Sequence, residues 1–394
     1  MRAFLWFVLS AGLVLAPPSV SSSRSADQVE LVRVPNGGLQ PDIAVDRDGV
    51  VHAVYLAGEP GAADVFYGRS SDGGRTFSAA MRVNSQDGSA IATGTIRGAQ
   101  IAIGRNGRVH IAWNGSGQAL PKPPVNPKTK RAGAPMLYAR LNAAGTAFEP
   151  QRNLISKTTN LDGGGSIAAD SAGGVYVAWH GHPASGEGGE EARSVWLARS
   201  ADDGATFESE RPVSDASTGV CACCRLRISA TAHGELQLLY RSATNLVHRD
   251  MYSLVSRDRG RTFNGARLHA WEIGACPMTS SSIVAGDRVM RAWETDGQVY
   301  FNSGETADPP TSPDLPAGGG PPHRKHPRLA VNSRGAVLVV WTEGTSWGRG
   351  GSVAWQMFEP DGRPTAIKGV QAGLPTWSFA AVVARPDGGF RILY

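Results

Sequence analysis

No apolar run in this chain is long enough to cross a bilayer. The one sustained stretch, residues 3–16, is too short. It follows Arg2 and leads into Pro17, Pro18 and small polar residues as far as Ala26, the layout of a secretory signal. The expectation is a leader over residues 1–26, cleaved within 19–26, and a single domain over 27–394 that works in the periplasm or is secreted. Cysteine is absent from the leader, so a lipid-anchored form is not expected. A dense basic stripe with stacking aromatics is also lacking, and that excludes nucleic acid as a partner. The formal charge is +5, part of it in Lys122, Lys128, Lys130 and Arg131 among four prolines. That segment reads first as a solvated loop and second as an attraction for anionic glycans.

Cysteine is scarce throughout: four residues in two groups, Cys221/Cys223/Cys224 and Cys276. An even number in an oxidising compartment favours two disulfides, which these four can form in three ways. A thiolate metal site with Met278 close to Cys276 is the competing reading, and the count alone does not choose between them. Disulfides are taken as the expectation, with no metal and no cofactor.

Glycine, by contrast, is plentiful: 49 residues beside 25 prolines in a chain of 394. That length can bury a large core, and the glycines suit an all-β chain full of turns. The string Ser-x-Asp-x-Gly-x-Thr-Phe occurs at 70–77, 200–207 and 256–263. In a tight hairpin turn its Ser and Asp side chains bond turn amides, its glycine takes positive φ and its aromatic tucks beneath the sheet.

A longer repeat runs upstream of these strings. It has an apolar anchor, a glycine six residues on, and Trp or Tyr six further. The copies are Ile43/Gly49/Tyr55, Ile101/Gly107/Trp113, Ile167/Gly173/Trp179, Ile228/Gly234/Tyr240, Leu329/Gly335/Trp341 and Val382/Gly388/Tyr394, with a shorter member from Ile283 to Trp293. Each predicts a hairpin, and the spacing of about 40–50 residues is that of propeller blades. A third strand follows six of the seven hairpins, and degenerate octapeptides sit at 142–148 and 359–365. The last hairpin reaches Tyr394 without a third strand, so residues 29–34 are expected to supply it and close the ring. The fold predicted is an all-β β-propeller, with seven blades favoured and six as the alternative.

The octapeptide resembles the Asp-box (BNR repeat) of sialidases, and the likeness extends over residues 28–394. The resemblance implies a secreted bacterial sialidase-like propeller that recognises an anionic glycan and hydrolyses it as an exo-α-sialidase-type glycoside hydrolase. The alternative is a non-catalytic propeller that binds carbohydrate or protein, since one fold hosts many functions. Sialidases begin their first blade with Phe/Tyr-Arg-Ile-Pro. Here Leu39 stands at the corresponding place before Pro41, and Arg97 fills it one blade later. No Tyr–Glu nucleophile pair is assignable, because Tyr55 and Tyr240 belong to the strand-ending aromatics.

Strand order places the hairpin turns and octapeptides on one face. The loops leading into the inner strands, and those after the aromatics, lie on the other face around the channel mouth. Arg97 and Lys325 stand four residues before their anchors, and Arg225 stands three before its own. Loops after the aromatics carry His180 and His182, Arg241 with Arg249 and Asp250, Glu294, and Glu343 with Trp347 and Arg349. Guanidinium pairs bidentately with carboxylate, so Arg97, Arg225, Arg241, Arg249, Lys325, Trp347 and Arg349 are the substrate-binding candidates. Glycosidic cleavage needs two further groups, for which Asp250 and Glu343 are the candidates. Plainer roles compete: exposed strand-start charges for Arg97, Arg225 and Lys325, mutual pairing for Arg249 and Asp250, and a solvated loop acid for Glu343. The expected partner is an anionic glycan or glycoconjugate, met by a monomer.

Overall fold

The computed structural model describes residues 28–184, 188–286, 288–303, 310–313 and 323–394, so the expected leader lies outside it. The described residues form seven sheets arranged as a seven-bladed propeller. No helix among them is long and apolar enough to cross a membrane. Blade 1 shows the plan: inner strand Leu39–Val45, then Val51–Glu59, Ala62–Ser70 and the short outer Met81–Arg82. The inner strands of blades 2 to 7 are Gln100–Ile103, Ser166–Ala169, Arg227–Ala230, Ser282–Val284, Arg324–Val331 and Ala381–Ala384.

Side-chain alternation explains why the repeat reads as it does. Neighbouring residues of an inner strand point to opposite sheet faces, so the anchor packs on the preceding blade and its successor on the following one. Ile101 joins the core shared with blade 1, whereas Ala102 joins the core shared with blade 3. Seven apolar clusters result, one at each junction between blades. The strand-ending aromatics Tyr55, Trp113, Trp179, Tyr240, Trp293, Trp341 and Tyr394 are all buried in the described structure.

The N-terminal strand closes the ring as expected, with one added detail. Val29–Val32 pairs with Phe390–Leu393 in parallel, Val29 opposite Phe390 and Val32 opposite Leu393. In a complete blade the fourth strand feeds the next inner strand and so runs parallel to the second. Val29–Val32 keeps that direction, because it must lead into blade 1, yet it occupies the third position. Parallel pairing follows from the connection.

The three octapeptide turns share one hydrogen-bond pattern. Ser70, Ser200 and Ser256 donate to Asp72, Asp202 and Asp258 at 2.7, 2.8 and 2.8 Å, and accept from the amides of Gly74, Gly204 and Gly260. Thr76, Thr206 and Thr262 each donate a hydroxyl to the same aspartate at 2.6 Å. The three glycines have φ of 86°, 73° and 76°, which explains their fixed place in the string. These turns lie beside the inner hairpin turns, since Val51 pairs with Ser70. Both therefore sit on one face, here the turn face. The opposite face is the leading face.

Candidate functional site at the leading face

The residues three before each anchor meet across the axis. They are Gln40, Gly98, Gly164, Arg225, Ser280, His326 and Phe379, and all are buried. Arg225 reaches from blade 4 to the strand entrance of blade 2, donating Nε to the Ile96 carbonyl at 3.2 Å and Nη2 to that of Gly98 at 2.6 Å. Its guanidinium stands 5.0 Å from the centre of the Phe379 ring. In blades 1 and 6 a bulge swings Gln40 and His326 inward, each just before a proline and each at φ 53°. Gln40 donates to the carbonyls of Ala92 and Gly94 at 2.7 Å each, and His326 Nδ1 lies 3.2 Å from the Ser280 hydroxyl. Burial, reinforced by Lys325, pushes His326 well below the usual histidine range, so it is neutral. This layer plugs the leading end of the channel.

Arg225 is therefore a structural cation, 2% exposed, rather than an exposed strand-start charge or an open ligand contact. Above the plug lies a small hollow of about 50 Å³, bordered by Gly94, Lys325, Trp347 and Trp377 among others. Trp347 is 55% exposed. Its ring packs against Gly94, with Arg97 beside it: a Cβ on Gly94 would stand 3.2 Å from the indole and 3.5 Å from Arg97 Nη1. Trp377, from the loop leading into blade 7, meets Trp347 edge to face at 6.1 Å and donates its indole N–H to the Trp347 carbonyl. Lys325 donates to the Pro277 carbonyl at 2.7 Å, and Arg97 pairs with Asp162. Arg349 is exposed and donates to the Gly344 carbonyl at 3.0 Å.

A second group lies in blade 4 and does not join the first. Arg241 is buried 4.8 Å from the Trp271 ring and donates to the carbonyls of Arg249 and Glu294. Arg249 pairs with Glu190 at 2.5 Å, and Asp250 accepts from the Trp271 amide at 2.8 Å and faces Arg267 at 3.4 Å. Arg249 and Asp250 are thus not each other's partners. Glu343, on blade 6, accepts from the Trp341 indole at 2.7 Å and from Arg324 at 3.1 Å. The two carboxylates proposed for catalysis are held on different blades, each by neighbours of its own blade.

One disulfide, Cys223–Cys276, is present where two were expected. Cys221 and Cys224 remain buried thiols with sulfurs 3.0 Å apart. The sulfurs of Cys221, Cys223 and Cys224 lie within 4.8 Å of one another, a spacing a soft metal ion can span if Cys223 is reduced. His180 and His182 do not form a ligand pair: His180 Nε2 donates to the Cys224 carbonyl at 3.1 Å and His182 Nε2 to that of Gly189 at 2.7 Å. Burial and Arg193 push His180 down to about 3.

Sequence reasoning missed Trp377, Gln40, His326 and Phe379. Their signal is present in the sequence, since all lie three to five residues before an anchor, but charge alone selects only the cations of that row.

No protein-family model and no curated protein matches this sequence. Solved structures do match in fold. A protein of unknown function from Dyadobacter fermentans has TM-score 0.53 at 14% identity, covering 88% of this chain and 98% of its own. The NanB sialidase from Streptococcus pneumoniae has TM-score 0.52 at 10% identity, covering 80% and 67%. An α-L-arabinanase from Penicillium chrysogenum, complexed with arabinobiose, has TM-score 0.50 at 14% identity, covering 84% and 95%. At such identities the likeness is one of fold.

Proposed function

We propose that this chain is a glycan-recognising propeller, related in architecture to glycoside hydrolases, that takes an anionic sugar on the rim of the leading face. The observation that carries this is the Trp347–Trp377 pair, one indole more than half exposed, beside Arg97 and Lys325. A large exposed aromatic costs solvation unless something covers it, and the apolar face of a sugar ring suits an indole. Lys325 and Arg349 give the same rim positive charge for a carboxylate, while Arg97 beside them is paired with Asp162. Residues 1–26 would carry the protein to the periplasm or beyond, where such glycans are met.

Recognition without cleavage is favoured over hydrolysis by one feature. Asp250 and Glu343 are each engaged within their own blade rather than presented together, and the sequence offers no Tyr–Glu pair of the kind sialidases use as nucleophile. The test is calorimetric titration with sialyllactose and oligogalacturonate, alongside hydrolysis of aryl sialosides and aryl uronides. Binding that falls at least about tenfold, or about 1.4 kcal/mol, in Trp347→Ala supports the proposal. Binding untouched by Trp347→Ala and Lys325→Ala refutes the rim site. Turnover lost in Glu343→Gln or Asp250→Asn would replace recognition by catalysis.

A further inference from the structure

Four sulfurs form a continuous path from the surface of the leading face inward. Cys221, Cys223 and Cys224 stand in the loop before the inner strand of blade 4, and Cys276 in the loop before that of blade 5. The loops are tied together, since the Arg225 amide donates to the Thr279 carbonyl at 3.0 Å. Cys276 is exposed and Cys223 partly buried, whereas Cys221 and Cys224 are fully buried. A turn joins the buried pair: the Cys224 amide donates to the Cys221 carbonyl at 3.4 Å, with two residues between. Cys221 Sγ then lies 3.0 Å from Cys224 Sγ and 3.5 Å from Cys223 Sγ, and Cys223 is bonded to Cys276. From outside inward the order is Cys276, Cys223, Cys221, Cys224, each sulfur within reach of the next.

Buried thiols often serve only as small core side chains, a role that asks nothing of their neighbours. Here Cys221 abuts a disulfide sulfur instead. Exchange needs that contact, together with a thiolate and a sulfur that can leave. Burial opposes ionisation of Cys224, yet the Cys221 thiol and Arg241 outweigh it and hold Cys224 below the usual thiol range. Cys224 in turn raises Cys221, so Cys224 is the group placed to take the Cys221 proton.

We propose that the four cysteines are a dithiol–disulfide relay, which passes two electrons from Cys221 and Cys224 to a small external disulfide. Cys224, as thiolate, takes the Cys221 proton. The Cys221 sulfur bonds to Cys223 while the Cys223–Cys276 bond breaks, and Cys276 leaves as a thiolate at the surface. Cys224 next bonds to Cys221, its proton passing to the departing Cys223 sulfur. Cys276 attacks the external disulfide, which gives a mixed disulfide and one external thiolate, protonated by water. Cys223 then attacks Cys276, restoring the original bond and releasing the second external thiol with the Cys223 proton. In sum, two thiols of the chain become the Cys221–Cys224 bond and one external disulfide becomes two thiols. No outside molecule has to reach a buried sulfur, and nothing in the relay depends on the glycan reading.

The test uses the whole folded chain, prepared without reductant. Iodoacetamide followed by peptide mapping should find Cys276 and Cys223 alkylated and Cys221 joined to Cys224, because alkylation removes each released thiol for good. A static disulfide over two core thiols gives a different map, with Cys223–Cys276 intact and label on Cys221 and Cys224 or on no cysteine. Either form of that map overturns the proposal. Oxidised glutathione added to the untreated chain should yield two glutathione thiols per chain and leave no cysteine to label after denaturation. Release of none also overturns it. Cys221→Ser removes the first attacking sulfur and should slow alkylation of Cys276 at least about tenfold. An unchanged rate in the folded variant refutes the relay, and if the variant does not fold, the map of the parent chain decides.

Discussion

Arg225 on blade 4 donates Nη2 to the carbonyl of Gly98 on blade 2 at 2.6 Å, so one side chain spans the axis and rests on the backbone of another blade. That arrangement depends on two glycines at equivalent places. A Cβ on Gly98 would lie 2.7 Å from the Gln40 Cβ and 2.9 Å from Arg225 Nη2. A Cβ on Gly164 would collide with the Ile96 carbonyl oxygen and stand 2.9 Å from Arg225 Nε.

Gly98→Ala should therefore cost about 1–3 kcal/mol, the usual range for overpacking. Gly164→Ala should cost more, because a backbone oxygen yields less readily than a side-chain end. Urea unfolding of both variants checks the order. Equal stability to the parent would mean the plug is loosely packed.

The ring closure offers a second measurement. Glu30, on the N-terminal strand, accepts from Arg391 at 2.5 Å and also pairs with Arg385. Those contacts, Arg391 foremost, hold the Glu30 carboxyl below its usual range although burial opposes them. Removing the carboxylate leaves two largely buried guanidiniums without it. Glu30→Ala is expected to lower stability by about 1.5–3 kcal/mol. A loss below about 0.5 kcal/mol would mean that the closing strand is held by its backbone pairing alone.

Acid should weaken the fold in two stages. Burial depresses His110, His180, His182 and His326, with His180 at about 3. The unfolded chain binds protons at these histidines from about pH 6.5 downwards, while the folded chain does not. Their contribution is complete above that pH and declines as pH falls towards each folded value. The turn carboxylates come next. Asp72 and Asp258 are held low chiefly by Thr76 and Thr262, and Asp202 is held at about 2 by Thr206 and Ser200 against the opposing effect of burial. Their share is present above about pH 4 and is lost below it. Urea midpoints at pH 7.5, 5.5 and 3.5 should fall throughout, and the fall from 7.5 to 5.5 should shrink in His180→Gln. A flat profile between pH 7.5 and 5.5 would contradict the buried neutral histidines.

Thiol chemistry tests the cysteine assignment. Alkylation of the denatured, unreduced protein should label Cys221 and Cys224, and reduction should add Cys223 and Cys276. The bridge encloses a separation of 53 residues. On the chain-entropy account, Cys276→Ser should cost about 4 kcal/mol. Peptide mapping that finds Cys221 joined to Cys224 would mean that both pairs are oxidised.

Much of the fold was legible because the repeat records burial. Ile101, Gly107 and Trp113 recur at fixed spacing since each blade must pack on two neighbours and turn at the same place. The candidate site was only partly legible. Arg225 stood out by charge and position, yet its role as a plug depends on Gly98 and Gly164, two residues without side chains of their own. Trp347 stands out in the sequence as a platform, whereas Trp377, 30 residues on, becomes its partner only when blades 6 and 7 pack together. Asp250 and Glu343 looked alike as loop acids, and only the three-dimensional arrangement revealed Trp271, Arg267, Trp341 and Arg324 as their partners.

By itself the sequence determined the blade plan, favoured seven blades over six and pointed to closure by residues 29–34, because periodic burial and turn chemistry are written locally. Tertiary structure alone decided which cysteines pair, which cations are spent on backbone carbonyls, and that Arg227 pairs with Asp42 across the axis. Those outcomes depend on distances between residues far apart in the chain, and such distances are set only when seven blades meet around one channel.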